Sequence, residues 1–250
     1  MVLNKKNYIG LGLIISCIIL AWFGVNKSVD ENCYMAFFDV FPGVFFFFFA
    51  YFLGLMYLLS CGENNMSFNR IANIRGRGKQ HKLRLYRRDM MLRSAIYCIL
   101  FSFVTLIIAY CFNGSEVNRD ILDEYSVRSY YNSMLFSDNS MWLGIVLCII
   151  RLFLHTVLIT SLYVCLEVLV KGYKYVILAA IIIVSCTVDY TGIPVLSIFS
   201  YGVDYDFLFG VSDKEMLVTF AVKNMYLVIM SFVYSYIAVL CSDKLDLNRV

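Results

Sequence analysis

The amino-acid sequence predicts an all-α, polytopic membrane protein with six transmembrane helices and both termini in the cytoplasm. Three observations carry that prediction. Of 250 residues, 61% are hydrophobic and only 16% charged, and the mean hydropathy is +0.74; soluble domains carry about 25% charge. The apolar residues gather into six long runs. The lysines and arginines fall overwhelmingly on alternate connections between those runs. A soluble globule of this length could not hide so much apolar surface, and disordered chains are polar and highly charged.

A spanning helix needs roughly 20 mostly apolar residues. The first run, Tyr8 to Gly24, follows Lys5 and Lys6 in the manner of a signal peptide. It continues past Cys17 through Phe23 without a small-x-small cleavage site, so an uncleaved helix is expected. The second span is Met35 to Ser60 and includes the phenylalanine tract Phe45 to Phe49, which fits a helix wetted by hydrocarbon on every face. The third is Ala95 to Phe112 and the fourth Met141 to Val170. The fifth is Tyr175 to Val188, extended as far as Pro194, and the sixth is Met216 to Cys241. The whole chain reads as a single transmembrane domain. Closed β-barrels would show short alternating segments instead.

Orientation follows from Lys and Arg alone. With the N-terminus inside, the inner segments hold 15 basic residues and the outer loops 4. Arg151 and Lys223 lie within spans. The outer loops, the short one with Asp30 and Glu31 and the longer ones over residues 113–140 and 189–215, are acidic instead. An odd number of spans would spoil this bias. Nine cysteines are present, most in or beside apolar runs, with no CxxC pair and no metal-ligand spacing; packing is the expected role.

The cytoplasmic segment 61–94 is the densest in charge. It holds nine lysines and arginines, with Gly76 and Gly78 interrupting it, so two short helices around a Gly-rich turn are expected. Leu83, Leu85, Tyr86, Met90 and Met91 among the basic residues suggest an amphipathic helix lying at the membrane surface. Such a stretch can anchor on lipid phosphates, or dock a cytoplasmic protein. Nucleic-acid binding through Arg75-Gly76-Arg77-Gly78 has little support from so short a tract on a membrane loop, and no nucleic-acid partner is expected.

Six spans, internal termini and a basic loop between the second and third spans resemble a type-2 ABC exporter permease of the small Firmicute type. The stretch Asn69-Arg70-Ile71-Ala72-Asn73-Ile74-Arg75-Gly76-Arg77-Gly78-Lys79 is similar to that family's coupling loop. The resemblance implies that Arg70, Arg75, Arg77, Lys79, Lys82 and Arg84 would contact a separate ATPase subunit. It further implies a second permease copy or paralogue, residence in a bacterial cell membrane, and a peptide, lipid-like or drug cargo. Asp189 to Phe199, broken by Pro194, is similar to the family's outer interfacial pair of helices. The outer segment Asn113 to Ser140 is longer and more polar than the family usually needs.

No GxxxxGK[ST] phosphate loop occurs, so ATP would have to bind on the partner. HExxH and GxSxG motifs are missing too, and neither an enzyme nor a cofactor is expected. Charges inside the membrane are expensive and functional by default. Arg151 falls near mid-bilayer in the fourth span, with His155 one turn on. With Asp39, Glu167 and Lys223 they form a candidate polar seam, which would line a subunit interface or cargo path, or else pair internally to fix packing. Lys223 is expected to snorkel outward. A non-transport immunity or accessory protein that binds a toxin or lipid through its acidic outer loops is the alternative function.

Overall fold

The computed structural model describes residue 37 and residues 50–65, 79–113, 141–170, 172–189 and 212–241. Every regular element among them is helical. In chain order these are α1 (Leu53–Asn65), α2 (Lys79–Asn113), α3 (Met141–Leu169), α4 (Lys174–Asp189) and α5 (Asp213–Leu240). A π-helical turn over residues 50–52 leads into α1. Among the described residues, three stretches are long and apolar enough to cross a membrane: Leu83–Phe112, Trp142–Leu169 and Asp213–Leu240. The first predicted span, Tyr8 to Gly24, lies outside the described residues, and so does Asp39.

The helix ends have local causes. Ser212-Asp213-Lys214-Glu215 has the capping-box sequence pattern, and the serine caps α5: the Glu215 N–H donates to Ser212 Oγ at 3.3 Å, and Asp213 and Glu215 place negative charge in the first turn. Helix α2 begins at the first residue after Gly78. From Gln80 to Asn113 it contains neither glycine nor proline, so nothing interrupts the helical hydrogen-bond ladder.

This start corrects the expectation of a separate interfacial helix. The basic stretch and the third span are one continuous 35-residue helix, with a length of about 52 Å. Its buried positions Leu83, Tyr86, Met90, Ser94, Tyr97, Phe101, Thr105 and Ile108 recur every three or four residues, so one packed seam runs from the charged end into the apolar end. The exposed stripe is Arg84, Arg88, Leu92, Ile96, Ile99 and Phe103. It changes from charged to apolar between Arg88 and Leu92. From Leu92 to Asn113 the helix extends about 33 Å, close to the ~30 Å of a bilayer's hydrocarbon core.

The chain divides into two compact units. The first comprises Met1–Gly54, Ile99–Arg151 and Val203–Lys223. Inside it Tyr51 meets Phe101 edge-on, with ring centroids 4.8 Å apart and planes at 73°, a favoured aromatic geometry. Cys148, Ile145 and Met216 are buried there as well. The second unit comprises Leu55–Cys98, Leu152–Gly202 and Asn224–Val250. Its centre is α3, where every residue from Leu158 to Val168 is buried.

Within the second unit α3 binds two neighbours through hydroxyls. The Thr160 hydroxyl donates to Ser94 Oγ on α2 at 2.9 Å. Ser235 on α5 reaches Ser161 Oγ at 3.5 Å, a long contact. Lipid supplies no hydrophobic drive between helices, so close packing and hydroxyl pairs of this kind hold such bundles together. Thr156 and Ser231 instead return their hydroxyls to the carbonyl four residues back, a bond that stays within the helix.

Candidate functional site

The chain between α3 and α4 turns in four residues. The Val170 N–H donates to the Leu166 carbonyl at 2.8 Å, the Tyr173 N–H to Val170 at 2.9 Å and the Ile177 N–H to Tyr173 at 2.9 Å. Gly172 and Tyr173 are exposed at the apex. This turn folds Lys174, the first residue of α4, back onto Glu167 in the last turn of α3. The Lys174 ammonium donates to Glu167 Oε2, and both side chains are nearly closed to solvent, at 5% and 6% exposed. Lys174 Nζ also lies 5.1 Å from the centroid of the Tyr163 ring and 5.0 Å from that of Tyr175. The two tyrosine hydroxyls are 3.2 Å apart.

The electrostatics explain why these four residues occur together. A cation at a helix N-terminus and a carboxylate at a helix C-terminus each oppose the helix macrodipole. Lys174 and Glu167 occupy those two unfavourable ends. Their desolvation costs several kcal/mol per ion by rough estimate. The ion pair and two ring faces, each worth about 0.5–2 kcal/mol to a cation, offset that cost. The result is a charged clamp across the α3–α4 corner, closed to water and therefore unsuited to proton exchange with a soluble substrate.

Of the predicted site residues, Lys79, Lys82, Arg84, Arg151, His155, Glu167 and Lys223 fall among the described residues. Glu167 belongs to this clamp, with Lys174 as its ion-pair partner. Arg151 and His155 are each fully buried, at 0% exposed. Lys223 is half-buried in α5. Arg70, Arg75 and Arg77 lie outside the described residues, as does Asp39. Lys79 and Lys82 begin α2. Arg84 is exposed, further along the same helix.

Arg84 and Arg87 of α2 face Phe232, Ser235, Tyr236 and Val239 of α5 across an open groove of about 490 Å³ within the second unit. Charge counting had no means of finding Lys174, because it assigns Lys174 to an inner loop beside Lys171. The available signal was the Glu-x6-Lys spacing across a Gly172-Tyr173 turn, with tyrosines four residues before the glutamate and one after the lysine.

Comparison with protein-family models, with curated proteins and with solved structures finds no match to this chain.

Proposed function

We propose that this chain is the membrane-spanning permease subunit of an ABC exporter in a bacterial cell membrane. It crosses the bilayer six times with both termini inside. A separate ATPase subunit docks on the basic segment around Arg70, Arg75, Arg77 and Lys79, and a second permease copy or paralogue completes the path. The observation that supports this reading best is the continuity of α2. A load applied near Lys79 passes into the apolar half of the same helix with no glycine or proline to absorb it. That is what energy coupling from a cytoplasmic partner requires. The 15-to-4 distribution of basic residues supports the orientation.

The test is co-purification of a nucleotide-binding subunit with this chain from its native membrane. Replacing Arg75, Arg77 and Lys79 together with Ala is expected to abolish the association while leaving the protein level intact. Undiminished pull-down would remove the docking role of the segment. An Arg151→Leu chain that accumulates normally yet exports poorly would support a functional role for that buried charge; equal loss of both would assign it to packing. Absence of any nucleotide-binding partner would favour the accessory-protein alternative.

A further inference from the structure

The groove between α2 and α5 has one charged wall and one apolar wall. Arg84 and Arg87 form the first. Phe232, Tyr236 and Val239 form most of the second, with Phe232 72% and Tyr236 64% exposed. Its depth relative to the membrane follows from the exposed stripe of α2, where the apolar surface begins at Leu92. Arg87 lies about 7.5 Å beyond that point and Arg84 about 12 Å. The polar headgroup layer is roughly 5–8 Å thick on each side of the hydrocarbon core. Arg87 therefore stands at the outer edge of the headgroup layer and Arg84 about 4 Å beyond it, both within the reach of a long, flexible arginine side chain to phosphate. The single acidic residue of α2, Asp89, is bonded by Arg93 at 2.5 Å and so does not serve the groove.

We propose that this groove seats one anionic phospholipid of the adjoining leaflet. Its phosphate lies on Arg84 and Arg87, and the upper part of an acyl chain covers Phe232 and Tyr236. A guanidinium pair recognises phosphate through fixed, paired donors. The aromatic wall requires an apolar occupant, which a soluble phosphate does not supply. An amphiphile satisfies both walls, and at this depth the bilayer presents one at high local concentration. Arg84 then acts as a lipid ligand and not as an ATPase contact, leaving docking to the residues that precede it.

Native mass spectrometry of the full chain in a neutral detergent tests this, with phosphatidylglycerol and phosphatidylcholine of identical acyl chains added separately. Phosphatidylglycerol is expected to bind in preference, as one molecule per chain. R84Q/R87Q should weaken it about thirtyfold, the loss of two basic contacts at a membrane surface. R88Q, on the exposed stripe outside the groove, removes no contact to the lipid and should leave it within about twofold. Phe232→Ala with both arginines intact should weaken both lipids. Equal loss in R88Q would reduce the effect to a count of charge and overturn the site, as would equal affinity for the two lipids. Displacement by glycerol phosphate would assign the arginines to a soluble anion. If R84Q/R87Q kept the lipid but lost the ATPase, the groove would be a protein contact instead. R75A/R77A/K79A leaves Arg84 and Arg87 in place, so the docking proposal and this one fail separately.

Discussion

Helices α3 and α5 have nearly the same length, 29 and 28 residues, and both are apolar enough to cross a membrane. Yet 61% of the most apolar stretch of α3 is buried within the chain, against 22% for α5. Hydropathy does not separate them, because lipid and protein interior are equally apolar. What separates them is where the polar side chains fall. α3 buries Arg151, His155, Thr156, Thr160, Ser161 and Glu167, whereas α5 buries only Asn224 and Ser231 among its polar residues. On the outer surface of α5 stand Val222, Met225, Ile229, Phe232 and Tyr236. In a membrane protein, polar residues within a span mark the faces that meet protein, since hydrocarbon cannot satisfy them.

The contrast breaks most visibly at the α3–α4 clamp. Lys174→Leu leaves Glu167 buried without its cation, and such a loss typically costs about 3–5 kcal/mol. Unfolding of the detergent-solubilised chain should shift accordingly. The double variant Glu167→Leu/Lys174→Met should recover most of the loss, because apolar pairs of similar volume replace buried ion pairs at little or no cost. If the double variant is as damaged as the single, the pair is held by more than its own charges.

A second comparison sets Leu158→Ala in α3 against Ile229→Ala in α5. Leu158 is 1% exposed, and Ile229 is 51% exposed. Large-to-small changes in water-soluble cores combine a transfer loss with a cavity loss. Between helices in lipid the transfer part largely cancels, because a separated helix still lies in hydrocarbon. The expected cost is therefore the cavity part alone, about 2 kcal/mol for Leu158. For Ile229 it should stay below about 0.5 kcal/mol, as for surface positions generally, since lipid fills the gap. Comparable losses at the two sites would mean that the face of α5 around Ile229 is covered in the membrane by another helix.

Much of the helical layout was readable from the residues. The fourth apolar run, predicted as Met141 to Val170, is a helix over Met141–Leu169, and the sixth, Met216 to Cys241, is a helix over Asp213–Leu240. Charged or turn-forming residues bound both runs, so composition and helix end together there. At α2 they do not. Hydropathy starts the span at Ala95 and sets the arginine-rich stretch apart as a separate interfacial helix, but arginine, lysine, leucine and methionine are all good helix formers and nothing breaks the helix between the two. The spacing of Leu83, Tyr86 and Met90 already continues into Tyr97 and Phe101. The Glu167–Lys174 clamp left only a local trace, the Glu-x6-Lys spacing across the Gly172-Tyr173 turn, and the α2–α5 groove left none, because it needs a tertiary arrangement that no periodicity within one helix encodes.

Hydroxyl pairs sharpen the contrast on a finer scale. Thr160→Val removes the donor to Ser94 Oγ but keeps the volume. Hydrogen bonds between membrane helices contribute about 0.6 kcal/mol on average and at most about 1.7. Thr160→Val should fall near that average, and Ser94→Ala in the same background should add almost nothing, because the pair is already broken. A full additive loss would show that Ser94 has a second partner.

The smallest effect is expected where charge meets water. Asp89 and Arg93 form an i,i+4 pair at 2.5 Å, with their side chains 25% and 23% exposed. Close as that geometry is, Asp89→Ala should cost only about 0.3–0.5 kcal/mol, as helix-surface pairs do. Solvent and salt screen it, and the effect should shrink further when ionic strength rises from about 10 mM to about 1 M, where the Debye length falls from about 30 Å to about 3 Å. Lys174→Leu measured across the same series should not respond, because its pair is closed to ions. A salt-sensitive Lys174→Leu would place water at the α3–α4 corner and remove the distinction between the two pairs.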